Sequence, residues 1–582
     1  MAARISGGSV NKDWLRALKL TAAAGETPDR VLPDALDAVA ARQPDAPALL
    51  SEAEEFTFSQ LAEQSLRYAH WGLAQGLAKG DVVALVMEAR PDYIAIWLGL
   101  SRIGVVTALI NHHLTGPSLA HCVRIASPRL LLCGPTFRQA CQEILTDCGA
   151  CRLFVRDEDF VADLHQLPAG PLQLTASNRP TLADHALYIY TSGTTGLPKA
   201  AIVSHRRIMN WALWFQGLID PTPQDRMYDC LPLYHSVGGV VAVWATLLGG
   251  GSVVLRERFS ASAFWRDIVK YDCTLFQYIG ELCRYLVHAA PCPEEGRHRL
   301  RMAVGNGLRP DVWPVFHKRF GIPRILEFYA ATESNFSLYN VEGEPGSIGR
   351  IPAFLGARQS VRLVRYDDRT DAPLRGSDGF CVACGVDEAG EAIARIANDF
   401  EGYLDRTASE KKILRNVFET GDAWMRSGDL MRKDSRGFFY FVDRVGDSFR
   451  WKGENVASAE VAEAIAAYPG VRDVTVYGVE IPGRDGRAGM AAIVADKSFD
   501  VEGLYPYLKS RLPVYARPLF LRLSQRLEVT ETFKHRKREL AREGFDPRSA
   551  PDPVFFASLE RSIYTALDLA LYEKIVGGAV AL

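Results

Sequence analysis

The stretch Thr191-Ser192-Gly193-Thr194-Thr195-Gly196-Leu197-Pro198-Lys199 says more about the fold than any other part of the chain. Hydroxyl side chains alternate with glycines, a combination that lets a loop surround phosphate oxygens with hydrogen-bond donors. Apolar runs at 186–190 and 200–203 predict a buried strand on each side of the loop. A Walker loop is excluded, because Leu197 and Pro198 separate the last glycine from Lys199 and Ala200 follows. The pattern predicts a loop for a nucleotide triphosphate; a mobile Gly/Thr surface turn is the alternative.

The composition is that of an ordinary globular protein. The chain has 582 residues, of which 48% are apolar, so at least two well-buried domains are expected. Its 67 basic and 69 acidic residues give a net charge of −2. This balance provides neither an electrostatic footprint for nucleic acid nor a polybasic membrane anchor, and small-molecule chemistry becomes the expectation.

Cysteine usage predicts a reducing compartment. Eleven cysteines are too sparse for a disulfide scaffold, and residues 1–20 lack the apolar core of a signal peptide. The pairs Cys148/Cys151 and Cys381/Cys384 have no histidines at zinc-ligand spacing nearby, so we expect buried or incidental thiols rather than a metal or redox site. The expected location is cytoplasmic.

One uncharged run, Ser236 to Leu255, has the length of a membrane span. Five glycines interrupt it and predict a helix over 237–248 followed by a strand over 252–255. We therefore expect a buried core element and no transmembrane segment. Peripheral association at the inner membrane face stays open as an alternative.

Alternating helices and strands predict an α/β fold. A helix capped by Ser59 precedes a strand at 82–86, a helix at 91–103 precedes a strand at 105–110, and a helix at 117–126 precedes a strand at 130–133. This order is typical of a doubly wound parallel sheet. Short strands between about 345 and 443 predict a β-rich subdomain, and a restart after Gly446 predicts a small α+β domain. The expected division is an N-terminal domain over 1–445 and a C-terminal domain over 446–582.

Further stretches follow the loop in the order seen in adenylate-forming enzymes. They are Glu327-Phe328-Tyr329-Ala330-Ala331-Thr332-Glu333, Ser427-Gly428-Asp429-Leu430, Asp443-Arg444 and Phe533-Lys534. The chain resembles the acyl-CoA synthetases. The stretches 228–236, 278–285, 305–309 and 449–456 resemble, more narrowly, the fatty acid transport protein/very-long-chain acyl-CoA synthetase family. The resemblance runs from about residue 45 to the end.

The resemblance implies a ligase that works in two steps. A carboxylate attacks the α-phosphate of ATP to give an acyl-adenylate and pyrophosphate, and the thiol of coenzyme A then displaces AMP. The implied partners are ATP, Mg²⁺, coenzyme A and a long- or very-long-chain fatty acid. Bile, aromatic or carnitine-like acids, a carrier-protein-loading enzyme, and a lipid-binding or transport protein without turnover are alternatives. The C-terminal domain of such enzymes rotates between the half-reactions, which makes Gly446 the expected pivot.

The resemblance also implies a role for individual residues. The catalytic set is Lys534, Glu333, Thr332 and Arg450, with Glu333 as the magnesium ligand and Arg450 acting in the coenzyme A step. The ATP-binding set is Thr191, Ser192, Gly193, Thr194, Thr195, Gly196, Lys199, Gly305, Asn306, Tyr329, Asp429 and Arg444. The acyl-binding set is Trp211, Tyr234, His235, Gly238 and Gly239. Two positions depart from the family pattern: Ala330 replaces a glycine, and Glu531-Thr532 replaces the glycine before Phe533.

Two of the acyl-site assignments have alternatives. Gly238 and Gly239 open a channel for an alkyl chain or serve close helix packing. His235 gates the site or caps the end of a strand. A catalytic base is not needed, since a carboxylate substrate is already ionised.

Overall fold

A computed structural model describes residues 10–149, 151–191, 197–333, 336–356, 360–367, 370, 372–396, 400–452, 454–484, 486–529, 535–558, 561–580 and 582. The chain forms two compact units, Met1–Pro345 with Ala397–Lys412, and Gly346–Ile396 with Ile413–Leu582. The expected division at residue 446 stays a prediction.

The first unit contains a six-stranded sheet with the predicted parallel core. Its strands, in spatial order, are Arg152–Val155, Leu130–Cys133, Val82–Val86, Val106–Leu109, His185–Thr191 and Lys199–Ser204. The first five run parallel and the last is antiparallel. The helices of this part of the chain are Phe58–Ala74, Pro91–Arg102, Gly116–Ala126, Arg138–Glu143 and Glu158–Gln166.

A second sheet of the first unit carries most of the remaining motifs. In spatial order its strands are Ser337–Asn340, Arg324–Ala330, Met302–Asn306, Leu275–Ile279, Arg226–Asp229, Ser252–Leu255, Pro47–Leu50 and Glu55–Thr57. The six inner strands are parallel, and both outermost pairings are antiparallel. The accompanying helices are Val10–Gly25, Leu32–Ala40, His205–Ile219, Val243–Leu248, Ala261–Lys270, Gly280–His288, Val312–Phe320 and Arg406–Glu410. Parallel strands covered by helices explain the continuous apolar runs of the sequence.

The second unit combines an antiparallel β-region with a separate small sheet. The β-region has the order Val361–Val364, Gly390–Arg395, Ala423–Lys433, Phe438–Arg444 and Gly349–Arg350, and Ile413–Arg415 also pairs with Ala423–Lys433. The small sheet has the order Val471–Glu480, Arg487–Ala495, Phe520–Leu523, Val554–Ser558 and Ile563–Ala566. Its helices are Ser458–Ala466, Val501–Lys509, Lys537–Glu543 and Leu569–Val576. The predicted α/β class, with a β-rich region and an α+β C-terminal part, is confirmed.

One local prediction was wrong, and one helix has an unusual form. The helix at 58–74 is capped by Thr57 rather than by Ser59: the Thr57 hydroxyl accepts from the Gln60 amide, and the Gln60 side chain accepts from the Thr57 amide. This reciprocal pair satisfies two backbone donors, which Ser59 could not do from inside the first turn. The predicted helix at 237–248 is a π-helix over Ser236–Ala242 followed by an α-helix over Val243–Leu248.

The uncharged run therefore belongs to the packed interior of the first unit. Its consecutive glycines Gly238 and Gly239 are buried against the backbone of 231–233. Within the described ranges, no helix is long and apolar enough to cross a membrane.

Candidate active site

The predicted phosphate loop begins and ends on one antiparallel strand pair. Thr191 and Lys199 face each other as the last partners of that pair. The Tyr190 hydroxyl donates to the Cys122 carbonyl at 2.6 Å, and a His121 ring nitrogen lies 3.0 Å from the Pro198 carbonyl. The strand pair is thus tied to the helix Gly116–Ala126 on both sides of the loop. Ser192, Gly193, Thr194, Thr195 and Gly196 lie outside the described residues.

A hydroxyl contact joins two motifs that are far apart in the sequence. The Ser236 and Thr332 hydroxyl oxygens are 3.1 Å apart, and either can donate. The neighbouring Glu333 is buried, and its carboxylate lies 3.7 Å from the ammonium of Lys412. The contact places the end of the 228–236 stretch beside the predicted metal ligand.

Tyr403 lies in the same cluster and was missed by sequence reasoning. It is buried, and its backbone pairs with Ala201 on the strand Lys199–Ser204. The Lys199 ammonium lies 5.7 Å from the centroid of its ring. Burial first, and then the charge of Glu333, raises the pKa of the Tyr403 hydroxyl, so it stays protonated at neutral pH. No spacing in the sequence pairs residue 403 with residue 333.

A buried carboxylate shapes the loop after the strand Met302–Asn306. Glu327 accepts hydrogen bonds from the backbone amides of Gly307, at 2.5 Å, and Leu308, at 3.2 Å. The Tyr278 hydroxyl donates to its other oxygen at 2.5 Å. Burial raises the pKa of Glu327 to about 8, against the three donors, which lower it. A Cβ at Gly305 would lie 2.2 Å from the Tyr278 carbonyl oxygen, so only glycine fits there.

Two further predicted ATP ligands lie on neighbouring strands, Asn306 at the end of Met302–Asn306 and Tyr329 near the end of Arg324–Ala330. The Asn306 side-chain oxygen is buried without a hydrogen-bond partner among the described residues. The half-buried Tyr329 ring packs against Phe336 with ring centroids 5.6 Å apart. An aromatic ring can stack on a planar base, and an unsatisfied buried acceptor can bind a hydrogen-bond donor of a ligand.

The predicted acyl-site residues lie near the π-helix. The ring of the buried Tyr234 is 4.6 Å from His235 and 5.6 Å from His112, centroid to centroid. Burial, followed by the charge of His113, lowers the pKa of His112 to about 4, so this ring is neutral at physiological pH. Trp211 is half-buried, with the Arg207 guanidinium 5.4 Å from its ring centroid.

Gly238 and Gly239 have a packing role in the structure. A Cβ at Gly238 would lie 2.7 Å from the Pro232 carbonyl oxygen, and one at Gly239 would lie 1.9 Å from the Leu233 carbonyl oxygen. Both positions require glycine for the close approach of two backbone segments. Their place in an acyl channel stays a prediction.

The second unit brings two other predicted ligands together. Asp429 and Arg444 face each other on adjacent strands, with Arg444 Nε 3.7 Å from a carboxylate oxygen of Asp429. Gly446 follows at φ +87, and no atom lies within 4 Å of where its Cβ would be. A glycine in the left-handed region with free space around it is suited to a backbone pivot.

Arg450 and the region near Lys534 belong to the C-terminal part of this unit. Arg450 is half-buried on the strand Phe449–Trp451, and its neighbours Phe449 and Trp451 are buried in the core. Lys534 lies outside the described residues. Lys537, three residues later, donates to the Ser458 hydroxyl at 2.7 Å and pairs with Asp447 at 3.2 Å.

Two family models and a solved structure identify the class of protein to which the chain belongs. The model described as AMP-binding enzyme matches residues 36–404, and the AMP-binding enzyme C-terminal domain matches residues 460–534. The crystal structure of the anthranilate CoA ligase AuaEII in complex with anthranoyl-AMP superposes with a TM-score of 0.76. It covers 89% of this chain and 98% of that chain at 20% sequence identity. The fold is that of the adenylate-forming enzymes.

Similar curated proteins identify the family within this class of enzymes. The chain is 42% identical to long-chain fatty acid transport protein 1 of Mus musculus, covering 96% of this chain and 89% of the relative. It is 39% identical to long-chain fatty acid transport protein 6 of Homo sapiens, covering 93% and 90%. The chain belongs to the AMP-binding enzyme family and, within it, to the long-chain fatty acid transport proteins. It is an AMP-forming acid–CoA ligase that uses ATP and coenzyme A, which confirms the class predicted from the sequence.

Proposed function

We propose that the protein activates a long- or very-long-chain fatty acid as its acyl-adenylate and then forms the coenzyme A thioester. The substrate class is supported by relatives 39–42% identical whose names specify long-chain fatty acids. The reaction is supported above all by one observation. The Thr332 hydroxyl, beside the predicted magnesium ligand Glu333, lies 3.1 Å from the hydroxyl of Ser236 at the end of the 228–236 stretch.

Residues of the first unit bind the adenine base and the phosphates of the nucleotide. Tyr329 stacks on the adenine, and the buried Asn306 oxygen accepts from the exocyclic amine of the base. Gly305 keeps the loop close to the base. Thr191, Lys199 and the loop between them bind the phosphates through hydroxyl, ammonium and backbone donors. Asp429 accepts from the ribose hydroxyls, and Arg444 contacts ribose or phosphate oxygens.

Glu333 provides the protein ligand for Mg²⁺. Its buried carboxylate is a hard oxygen donor, and Thr332 adds a hydroxyl beside it. Among the described residues no group of three or more His, Cys, Asp or Glu side chains can hold a metal. This donor set fits an ion that takes most of its ligands from phosphates and water rather than from the protein. When bound, the ion neutralises charge on the phosphate oxygens.

The chemistry needs orientation and charge stabilisation more than proton transfer. A carboxylate oxygen of the fatty acid attacks the α-phosphorus, and the bond to pyrophosphate breaks. Thr332 donates to an α-phosphate oxygen, and Lys534 stabilises the shared charge of carboxylate and phosphate. Arg450 acts in the second step, in which the sulfur of coenzyme A attacks the acyl carbon, AMP leaves and the thiol proton is released.

The acyl chain occupies the region of Tyr234, His235 and Trp211, with His235 at the entrance.

The protein works in a reducing compartment, a proposal supported by its eleven free thiols. The protein also associates peripherally with the inner face of the membrane, because its fatty acid substrates partition into lipid. Co-flotation of the purified protein with anionic vesicles, compared with neutral vesicles, tests this point.

A carboxylate panel tests the substrate class. AMP release is measured with saturated fatty acids of increasing chain length and with benzoate, a bile acid and carnitine, each with and without coenzyme A. The proposal predicts that kcat/KM rises with chain length and that sustained AMP release requires both the fatty acid and coenzyme A. Preference for another acid class would overturn the substrate assignment. Acid-dependent ATP–pyrophosphate exchange without coenzyme A turnover would indicate a carrier-loading enzyme, and no AMP with any acid would indicate a binding protein.

A further inference from the structure

Ser236 and Thr332 lie at the same edge of the second sheet of the first unit. Ser236 follows the strand Arg226–Asp229 through the stretch 230–235, and Thr332 follows the strand Arg324–Ala330 through Ala331. Both strands belong to the parallel part of the sheet, so their carboxyl ends lie at one edge. Ligands of open α/β sheets bind outside the carboxyl ends of the strands. The 3.1 Å contact between the two hydroxyls is therefore made where this fold binds its ligands.

The backbone around Ser236 is held in place without its hydroxyl. Ser236 is the first residue of the π-helix Ser236–Ala242, and the Gly239 amide donates to the His235 carbonyl at 2.8 Å. The helix packs so closely on the preceding segment that a Cβ at Gly239 would lie 1.9 Å from the Leu233 carbonyl oxygen. Because these contacts are made by the backbone, loss of the Ser236 hydroxyl leaves them intact.

Ser236 connects the predicted acyl site with the predicted phosphate site. It directly follows Tyr234 and His235 in the chain, and its hydroxyl contacts that of Thr332. A hydroxyl has one proton to donate and two lone pairs that accept. If Thr332 accepts from Ser236, its own proton is therefore left for a phosphate oxygen. Hydrogen bonds linked in this way also polarise one another, which strengthens the second bond.

We infer that Ser236 is a positioning residue for the adenylation half-reaction, whose hydroxyl donates to the Thr332 oxygen and directs the Thr332 proton toward the α-phosphate. The inference rests on the proposed function in one respect, the assignment of Thr332 to the α-phosphate. The proton of a hydroxyl rotates to suit its partners, and a fixed donor on the oxygen limits that rotation to directions away from the donor. A residue of the 228–236 stretch thus preorganises a phosphate-binding group on another strand.

Ser236→Ala tests the inference, because it removes the oxygen alone. Acyl-adenylate formation is measured in a single turnover without coenzyme A, as the rate of pyrophosphate release at saturating ATP over a range of acid concentrations. We expect the maximal rate to fall about tenfold, the scale of one hydrogen bond, and the half-saturating acid concentration to change less than about twofold. Thr246→Val is the matched control. It removes a buried hydroxyl that donates to the Ala242 carbonyl at 3.0 Å, and should form the adenylate at the wild-type rate.

A double-variant cycle shows whether Ser236 acts through Thr332. In a Thr332→Val background, which lacks the oxygen that Ser236 contacts, Ser236→Ala should change the maximal rate by less than about twofold. Equal losses in both backgrounds, a change confined to the half-saturating acid concentration, or a rate like that of Thr246→Val would each overturn the inference. A Thr332→Val protein with the wild-type rate would contradict the assignment of Thr332, and the inference with it.

The choice of acid keeps this test separate from the proposed substrate class. The acid is the member of the carboxylate panel that reacts fastest with the wild type, whatever its chain length. A failure of the long-chain assignment would therefore appear in the panel and leave the comparison of the variants unaffected.

Discussion

Glu327 is a buried acid whose ionisation makes the stability of the protein depend on pH. Its pKa is raised from 4.5 to about 8, chiefly by burial. The folded state therefore binds this proton more tightly than the unfolded chain does. The resulting stabilisation is fully present below about pH 4.5 and is lost as the pH rises through about 8.

Glu327→Gln should remove this pH dependence. The amide oxygen can accept from the Gly307 and Leu308 backbone amides as the carboxyl oxygen does, and the amide nitrogen can donate to Tyr278. We expect the free energy of unfolding of the wild type to fall between about pH 4.5 and 8, and that of the variant to fall less. Urea titrations at several pH values measure it; parallel curves for the two proteins would show that Glu327 is ionised throughout.

Lys534 and Arg450 should separate the two half-reactions. Lys534→Ala is expected to slow adenylate formation about a hundredfold or more, the scale for removing a charge aimed at the transition state, and to spare thioester formation from supplied acyl-adenylate. Arg450→Ala should show the reverse. Pyrophosphate release and single-turnover thioester formation measure the two steps. Equal losses of both steps in both variants would contradict the proposed domain alternation.

At the scale of residues, motifs could be predicted from the sequence and contacts between them could not. Thr332 and Glu333 lie in a dense motif, whereas Tyr403 lies 70 positions after Glu333 in a stretch without helical or strand periodicity. Its position follows from pairing with Ala201 on the edge strand Lys199–Ser204. Such pairing depends on tertiary structure, which local patterns do not encode.

At the scale of elements, a helix was predicted at the right place, and its π-helical first part contains Gly239. The apolar residues of the sequence predict the location of the helix at 237–248. The close approach of the Gly239 backbone to the Leu233 carbonyl is a tertiary contact, which the sequence pattern does not contain. The strands around the phosphate loop were predicted within one residue at each end, because an uninterrupted apolar run is a strong signal in a parallel sheet.

Gly239→Ala should destabilise the protein. Its Cβ would lie 1.9 Å from the Leu233 carbonyl oxygen, so the backbone must shift, at a cost of about 1–3 kcal/mol. Gly25→Ala is the matched control, since no atom lies within 4 Å of its Cβ position at the exposed end of the helix Val10–Gly25. Urea denaturation measures both. A Gly239→Ala protein as stable as the control would mean that this contact relaxes freely, which would favour an open channel at the glycines.

At the scale of the whole molecule, two compact units divide the chemistry. The first carries the phosphate loop strands, Glu333 and the adenine loop, and the second carries Asp429, Arg444 and Arg450. The sequence predicted both the class and the order of these motifs. The unit boundaries near 345 and 412 did not follow from it, because the segment at 397–412 belongs to the first unit although the chain on both sides of it belongs to the second.

The central claim is that the carboxylate of the fatty acid is joined to the α-phosphate of ATP before coenzyme A reacts. A fatty acid labelled with ¹⁸O in both carboxylate oxygens tests it directly, with the released AMP analysed by mass spectrometry. Attack of the carboxylate on phosphorus, followed by cleavage of the acyl carbon–oxygen bond by the thiol, leaves one labelled oxygen on each AMP. The account predicts AMP carrying a single ¹⁸O atom in a one-to-one ratio with the thioester formed. Unlabelled AMP alongside newly formed thioester would contradict it.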